Sequence, residues 1–147
     1  MKSRKVYFAA TAAFAASLLA GCATGPSAGA KGENESVLHA RAIERWDLLI
    51  AHKAEKAWDY LSPGYRQTKS REVYAQEMNS RPIRWNKVTY GSQECEPDVC
   101  KVHLFVDYKL DMGGLAGKVN SSAPLVETWV KTDGRWYYLP DQLGPKL

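Results

Sequence analysis

Apolar residues follow two different periods along the chain, and the change of period divides it into helical and extended parts. Between positions 36 and 79 they recur every three to five residues, the pattern of helices that bury one face. From position 84 to 139 apolar and β-branched residues alternate with polar ones, which is the period of strands. The pattern therefore predicts helices first and an antiparallel sheet after them.

Three helices are predicted in the first part. The first begins near Glu35 and has an apolar face made of Leu38, Ile43, Trp46, Leu49 and Ile50. Arg45 falls on its polar side. A second, shorter helix is ended by the Ser-Pro-Gly sequence at 62–64, because proline cannot continue a helix. Ser70 is suited to cap a third helix that runs to about Asn79.

Four strands are predicted in the second part, over 84–94, 99–110, 120–131 and 135–139. The second alternates most strictly, with one face formed by Cys100, Val102, Leu104, Val106, Tyr108 and Leu110. Asp133-Gly134 separates the last two strands and is a strong signal for a tight hairpin. We therefore predict one α+β domain over 36–140, in which three helices pack on a four-stranded antiparallel sheet.

The N-terminus carries a separate pattern, that of a secretory signal peptide. Three cationic residues precede an uncharged apolar run from Val6 to Ala20. The run ends in Leu19-Ala20-Gly21-Cys22, which resembles the lipobox of bacterial lipoproteins. The resemblance implies cleavage before Cys22 and acylation of its thiol and of its new amino group.

Three other interpretations of this segment are weaker, and the weakest is a cytosolic chain with an apolar N-terminus. A transmembrane helix needs about 20 apolar residues, and this run is shorter. A conventional signal peptide cut near positions 28–30 would leave Cys22 unexplained.

The lipobox divides the chain into four parts. Residues 1–21 form the signal peptide, 22–35 the lipidated cysteine and a tether of small and polar residues, 36–140 the domain, and 141–147 a C-terminal tail. Ala23 follows the cysteine, and by resemblance this residue implies sorting to the outer membrane. We expect a lipid-anchored domain that faces the periplasm.

Charge and cysteine usage fit that location. The formal net charge of +4 falls to about +1 without the three leader cations, and no basic stripe remains, so nucleic-acid binding is not expected. Acylation of Cys22 would leave Cys95 and Cys100 as a pair, and a disulfide is stable in the periplasm. Pairing these cysteines across a hairpin sets Glu94 opposite Lys101, an opposite-charge pair that supports this register. We expect a structural disulfide, because a redox-active pair is more typically C-x-x-C at a helix start and a zinc site needs further ligands nearby.

The segment from Arg41 to Arg66, followed by a short helix and long strands, resembles the nuclear transport factor 2-like superfamily. The most suggestive parts are the sequence YLSPGYR at 60–66, Arg45-Trp46, and Glu127-x-Trp129. The resemblance implies a curved sheet that wraps around the helices to form a cone with an open mouth. We predict a pocket there with five candidate residues, Trp46, Tyr108, Glu127, Trp129 and Tyr138.

Glu127 is the sharpest candidate, since it lies in an apolar strand and must be either paired or shifted in pKa. Arg45 or Lys131 would serve as its partner. The superfamily includes isomerases, dehydratases and cyclases that use an acid or base inside the cone. The titratable residues available for such a role are His103, Asp107, Tyr108, Glu127 and Tyr138, and none matches a catalytic motif.

No metal or cofactor is expected, because the chain lacks metal-ligand spacing and a phosphate-binding loop. It also lacks a nucleophile elbow, so catalysis has no support from a motif. We therefore predict a non-catalytic lipoprotein whose cone binds a small apolar ligand or a periplasmic protein partner. One alternative is an isomerase- or dehydratase-like enzyme with Glu127 or Asp107 as base. Another is an assembly module that forms a homodimer through its sheet.

Overall fold

A computed structural model describes residues 28–112 and 117–141, with side chains from Ser36 onward. The predicted signal peptide, Cys22, the first part of the tether and the end of the tail lie outside the described residues. None of the helices in the described part of the chain is both long enough and apolar enough to cross a membrane.

Helices precede strands, as the periodicity predicted. The helices are α1 (Ala28–Ile50), α2 (Ala54–Ala57), which continues into a 3₁₀ turn (Trp58–Tyr60), α3 (Pro63–Thr68) and α4 (Arg71–Asn79). The strands are β1 (Ile83–Cys95), β2 (Val99–Asp111), β3 (Lys118–Thr132) and β4 (Arg135–Leu139). The strands form an open antiparallel sheet in the order β1-β2-β3-β4. The protein is therefore an α+β fold with helices before the sheet.

Two details of the helices differ from the prediction. α1 begins at Ala28 and not near Glu35, so the predicted tether overlaps its first turns. The added residues include Ala28 and Ala30, which are good helix formers, but also Gly29 and Gly32, which are poor ones, so helix propensity alone does not predict this extension. α3 was not predicted, because Pro63 signalled only the end of the preceding helix. Proline is equally suited to the first position of a new one, and here Ser62 caps α3 by accepting a hydrogen bond from the Tyr65 amide.

The β1–β2 hairpin has the predicted register at its tip. Cys95 lies opposite Cys100, Glu94 lies opposite Lys101, and the two cysteines form a disulfide. Farther along, the register shifts between Trp85 and Lys87 and between Tyr90 and Ser92. Such bulges bend a strand. The disulfide thus closes the tip of the hairpin covalently. The two bulges allow the rest of β1 to bend toward the helices.

β4 is a short edge strand, and its free side is covered. Nε of Arg41 donates to the carbonyl oxygen of Trp136 at 2.9 Å, and the Ser62 amide donates to that of Tyr138 at 2.8 Å. β4 pairs with β3 only from Thr128 onward, although β3 has 15 residues and β4 has five. The first part of β3, which includes Pro124, therefore has no neighbour on that side among the described residues.

Candidate ligand-binding cavity

A cavity of about 480 Å³ lies between the helices and the inner face of the sheet. Six aromatic side chains line it: Trp46, Tyr65, Tyr74, Trp85, Tyr108 and Tyr138. Leu49, Met78, Val106 and Leu125 complete most of the apolar wall. The volume is that of a small-molecule site, and the lining is mainly apolar with a few polar groups, as is usual for such sites.

The inner face of the sheet follows from strand alternation. Tyr108 lies opposite Trp85 on β1 and opposite Ser121 on β3. Val106 lies opposite Ala123, and both line the cavity. Because side chains on adjacent strands at paired positions share a face, this register carries one continuous wall across three strands.

Glu127 lies at the closed end of the cavity and is only 2% exposed. Its Oε1 accepts hydrogen bonds from Nη1 of Arg45 at 2.7 Å and from Nε1 of Trp46 at 2.9 Å. Its Oε2 accepts one from Nε1 of Trp129 at 3.0 Å. Three donors therefore hold the carboxylate, which meets the requirement that a buried charge be paired and hydrogen-bonded.

Arg45 is the counter-ion of Glu127 and is only 4% exposed. Its Nη2 lies 3.4 Å from the Tyr74 hydroxyl, and its guanidinium carbon lies 3.9 Å from the centroid of the Tyr138 ring. Burial lowers the pKa of Arg45 and is the largest single influence, but the charge of Glu127 together with Tyr74 and Tyr138 outweighs burial, so the net direction is upward. The prediction that Arg45 lies on the polar side of α1 was wrong. The prediction that it is the partner of Glu127 is confirmed.

Tyr138 is held as a neutral phenol beside this pair. Burial raises its pKa above the ordinary value, and the charge of Arg45 opposes burial without cancelling it. In the described part of the chain the hydroxyls of Tyr108 and Tyr138 have no hydrogen-bond partner, so both are available to a ligand.

The structure brings together four of the five predicted pocket residues. Trp46, Tyr108, Glu127 and Tyr138 line the cavity. Trp129 does not, since it is fully buried behind Glu127 and supports the carboxylate from there. Strand alternation placed Trp129 on the correct face of the sheet. It does not show which part of that face the helices cover, and Trp129 lies in the covered part.

Two of the predicted acid–base candidates lie elsewhere. Asp107 and His103 belong to the outer face of β2, and neither lines the cavity. Nε2 of His103 lies 3.6 Å from Oε1 of Glu94. The prediction of Asp107 as a cavity base is therefore wrong, because alternate residues of a strand point to opposite faces.

Sequence reasoning did not single out Trp85 and Tyr74 as site residues. Trp85 lies opposite Tyr108, a predicted pocket residue, and this pairing would have identified Trp85 as a site residue. The pairing can be inferred only when the strand register is known. Between residues 36 and 141, as far as side chains are described, no group of three or more His, Cys, Asp or Glu residues is arranged to hold a metal.

No family model matches the chain, and neither does any curated protein. Among solved structures it is similar to RPA3114, a SEC-C motif containing protein from Rhodopseudomonas palustris, with a TM-score of 0.56 and 14% identity over 75% of this chain and 80% of that one. It is also similar to a variant of Rv3472 from Mycobacterium tuberculosis, a protein of unknown function, with a TM-score of 0.55 and 15% identity over 79% and 73%. An NTF2-like transpeptidase from Campylobacter jejuni matches at a TM-score of 0.46 and 11% identity, over 71% and 98%.

At these identities the similarities concern the fold alone. The shared feature is an α+β arrangement in which helices precede an open four-stranded antiparallel sheet.

Proposed function

We propose that this protein is a lipid-anchored binding protein of the bacterial periplasm, and that its cavity takes a small, largely apolar ligand without chemical conversion. The observation that carries the proposal is a cavity of about 480 Å³ whose buried charges at the closed end, Arg45 and Glu127, form an ion pair with each other, although Nε of Arg45 has no hydrogen-bond partner in the described part of the chain. Aromatic walls supply binding area, and a neutral closed end supplies no unpaired charge.

The state of Glu127 favours binding over catalysis. A general base must direct a free lone pair at the substrate and have a pKa near the working pH. Here Oε1 already accepts two hydrogen bonds and Oε2 accepts one. Protonating Glu127 would also leave Arg45 buried without its counter-ion, which is energetically costly. Three of the four acceptor positions of the carboxylate are therefore occupied, and its ion pair with Arg45 further disfavours a role as general base.

The lining also restricts the chemistry of the ligand. Arg45 and Glu127 cancel in charge, so a charged group at the closed end would unbalance the pair. The hydroxyls of Tyr108 and Tyr138 are free to donate to an acceptor. We therefore expect an uncharged ligand with an apolar body and at least one carbonyl, ether or hydroxyl oxygen.

Membrane attachment is supported by the N-terminal sequence. A cationic start, an uncharged run and the LAGC sequence ending at Cys22 precede the domain. The disulfide between Cys95 and Cys100 fits an oxidising compartment. Acyl chains on Cys22 would keep the cavity near the membrane, where apolar molecules partition.

The binding function is tested by purifying the anchored protein under native conditions and extracting it with organic solvent for mass spectrometry. We expect a small uncharged molecule to co-purify at a fixed molar ratio and to change tryptophan fluorescence on rebinding, because Trp46 and Trp85 line the cavity. Recovery of a chemically altered product after rebinding would contradict the proposal and support the enzyme alternative.

The assembly alternative is favoured by the outer face of the sheet. Phe105 and Val126 lie there and are 51% and 52% exposed, which is high for large apolar side chains. Sedimentation velocity of the full chain in neutral detergent tests it, with a reversible dimer as the expected sign of such a role.

A further inference from the structure

Outside the cavity, cation–π contacts link aromatic and arginine side chains in alternation along the surface of α1, α3 and β4. The guanidinium carbon of Arg41 lies 4.7 Å from the ring centroid of Tyr60 and 5.8 Å from that of Tyr137. The guanidinium carbon of Arg66 lies 5.6 Å from the centroid of Tyr137 and 5.1 Å from that of Trp58. We call this series the arginine–aromatic ladder.

A third arginine meets the ladder at its centre. The guanidinium carbon of Arg135 lies 5.9 Å from the centroid of the Tyr137 ring. Three cations from three different elements, Arg41, Arg66 and Arg135, therefore surround one tyrosine. Cation–π contacts orient each guanidinium plane but contribute no negative charge.

Among the described residues none of these three arginines forms an ion pair with a carboxylate. The adjacent Glu44 instead accepts a hydrogen bond from the Tyr60 hydroxyl at 3.0 Å. The contrast with Arg71 is informative, because Arg71 also stacks on Trp58 but is paired with Asp59 at 2.7 Å.

The cluster is electrostatically unbalanced. Burial lowers the pKa of Arg41, and the nearby charge of Arg135 lowers it further, with smaller opposing contributions from neighbouring tyrosines and Glu44. Nε of Arg41 is occupied by the Trp136 carbonyl, whereas its Nη2 is buried without a hydrogen-bond partner in the described part of the chain. A buried donor without an acceptor, among like charges, marks a place where an anion would be stabilised.

We propose that Arg41, Arg66 and Arg135 form a binding site for a phosphate group. Arginine forks match the spacing of phosphate oxygens and bind them through paired, charge-assisted hydrogen bonds. Among the described residues the guanidinium groups of Arg66 and Arg135 have no hydrogen-bond partner, so their N–H groups are available to a phosphate, whereas Arg41 contributes mainly its positive charge. The phosphate comes either from a free solute or from a phospholipid headgroup, and the two sources are separable by experiment.

The test is calorimetric titration of the full chain in a neutral detergent. The probes are inorganic phosphate and dihexanoyl phosphatidylglycerol, with dihexanoylglycerol as the phosphate-free reference that reports binding in the apolar cavity. We expect saturable binding of at least one phosphate probe. Equal affinity for both probes assigns the site to free phosphate, and tighter binding of the lipid assigns it to a headgroup. The absence of saturable binding by both phosphate probes overturns the proposal.

A double variant, Arg66→Gln with Arg135→Gln, identifies the residues involved. Arg41 is left intact because it also covers the edge of β4. We expect affinity for the phosphate probe to fall at least about tenfold, the typical loss when a hydrogen bond to a charged group is removed. Should the double variant unfold, Arg135→Gln alone carries the same expectation, since Arg135 is exposed.

The matched control is Arg84→Gln with Lys101→Gln, which removes the same net charge from exposed positions on the outer face of the sheet. We expect its affinity to stay within about twofold of the unmodified chain, because exposed charges away from the site are screened. An equal loss in both double variants would show diffuse charge attraction and overturn the assignment to the ladder.

Discussion

Nη1 of Arg45 and Oε1 of Glu127 lie 2.7 Å apart, although the two residues are 82 positions apart in the chain. Arg45 belongs to α1 and Glu127 to β3, so the pair joins the helical layer to the sheet at the closed end of the cavity. Both side chains are almost fully buried. A pair of this kind is costly to break once formed, and it fixes the distance between the two layers that enclose the cavity.

Replacing Glu127 with Gln should lower the free energy of unfolding by about 3 kcal/mol, because Arg45 would stay buried without its counter-ion. Urea unfolding at neutral pH, followed by tryptophan fluorescence, measures the change.

Glu77→Gln is the matched control for that variant. Glu77 pairs with Lys69, and the Glu77 side chain is 45% exposed. Its replacement should cost less than about 1 kcal/mol. Equal losses in the two variants would contradict a special role for the buried pair.

Filling the cavity should abolish ligand binding. Ala123 lines the cavity and lies opposite Val106, so Ala123→Trp would place an indole in the space that the ligand needs. We expect the co-purifying molecule to disappear from the mass spectrum of the extract. Ser122→Trp adds the same side chain at the next residue, which is exposed on the outer face, and should retain the molecule.

The protein should lose stability in alkaline solution through Tyr138. Its pKa is raised in the folded state, chiefly by burial, above the ordinary value of about 10. As pH rises, the unfolded chain therefore releases this proton first. The stabilisation is complete below about pH 10 and declines above it, by up to about 1.4 kcal/mol per pH unit.

Urea unfolding between about pH 8 and pH 11 tests this expectation, and Tyr138→Phe should flatten the alkaline decline. An unchanged decline in the variant would assign the effect to other groups.

Loss of the disulfide should destabilise the domain moderately. Cys95 and Cys100 are five positions apart, and closing so short a loop contributes about 2 kcal/mol in the chain-entropy model. Reductant should lower the melting temperature of the unmodified chain. A Cys95→Ala, Cys100→Ala variant should start from the lower value and not respond to reductant. Free thiols at both positions in protein isolated from cells would contradict a structural bridge.

Cys22→Ala should release the protein from membranes if the LAGC sequence is a lipobox. The leader would then lack its acylation site, and the thioether-linked lipid would be absent from the mass of the protein. Cell fractionation with immunodetection measures the distribution. Cys95→Ala, which removes a cysteine of the folded domain, should remain with the membranes. Membrane retention of the Cys22 variant would exclude the lipid anchor.

The architecture was predictable because its signals are local. Strict alternation located β2, and Asp133-Gly134 located the last turn, where both residues have positive φ angles of 51° and 75°. The charge pair Glu94–Lys101 established the register of the first hairpin from the sequence alone.

The cavity was only partly predictable because its contacts are not local. Periodicity placed Arg45 toward solvent, since a charged residue is normally exposed and its partner on β3 cannot be seen from α1. The roles of Glu127 and Trp129 likewise depend on how far the helices extend over the sheet. Strand alternation assigns a residue to one face of the sheet. Whether that residue lines the cavity or is buried beneath a helix depends on how the helices pack on the face.

β3 extends well beyond its pairing with β4, and this exposed edge matters where many copies of the protein lie side by side. The part of β3 beyond its pairing with β4 offers backbone groups that a strand from a second molecule would extend. Pro124 lies within this stretch and has no N–H to donate, so such a ladder would be interrupted there. We expect copies held close together on one surface to remain separate molecules at this edge and not to grow into fibres.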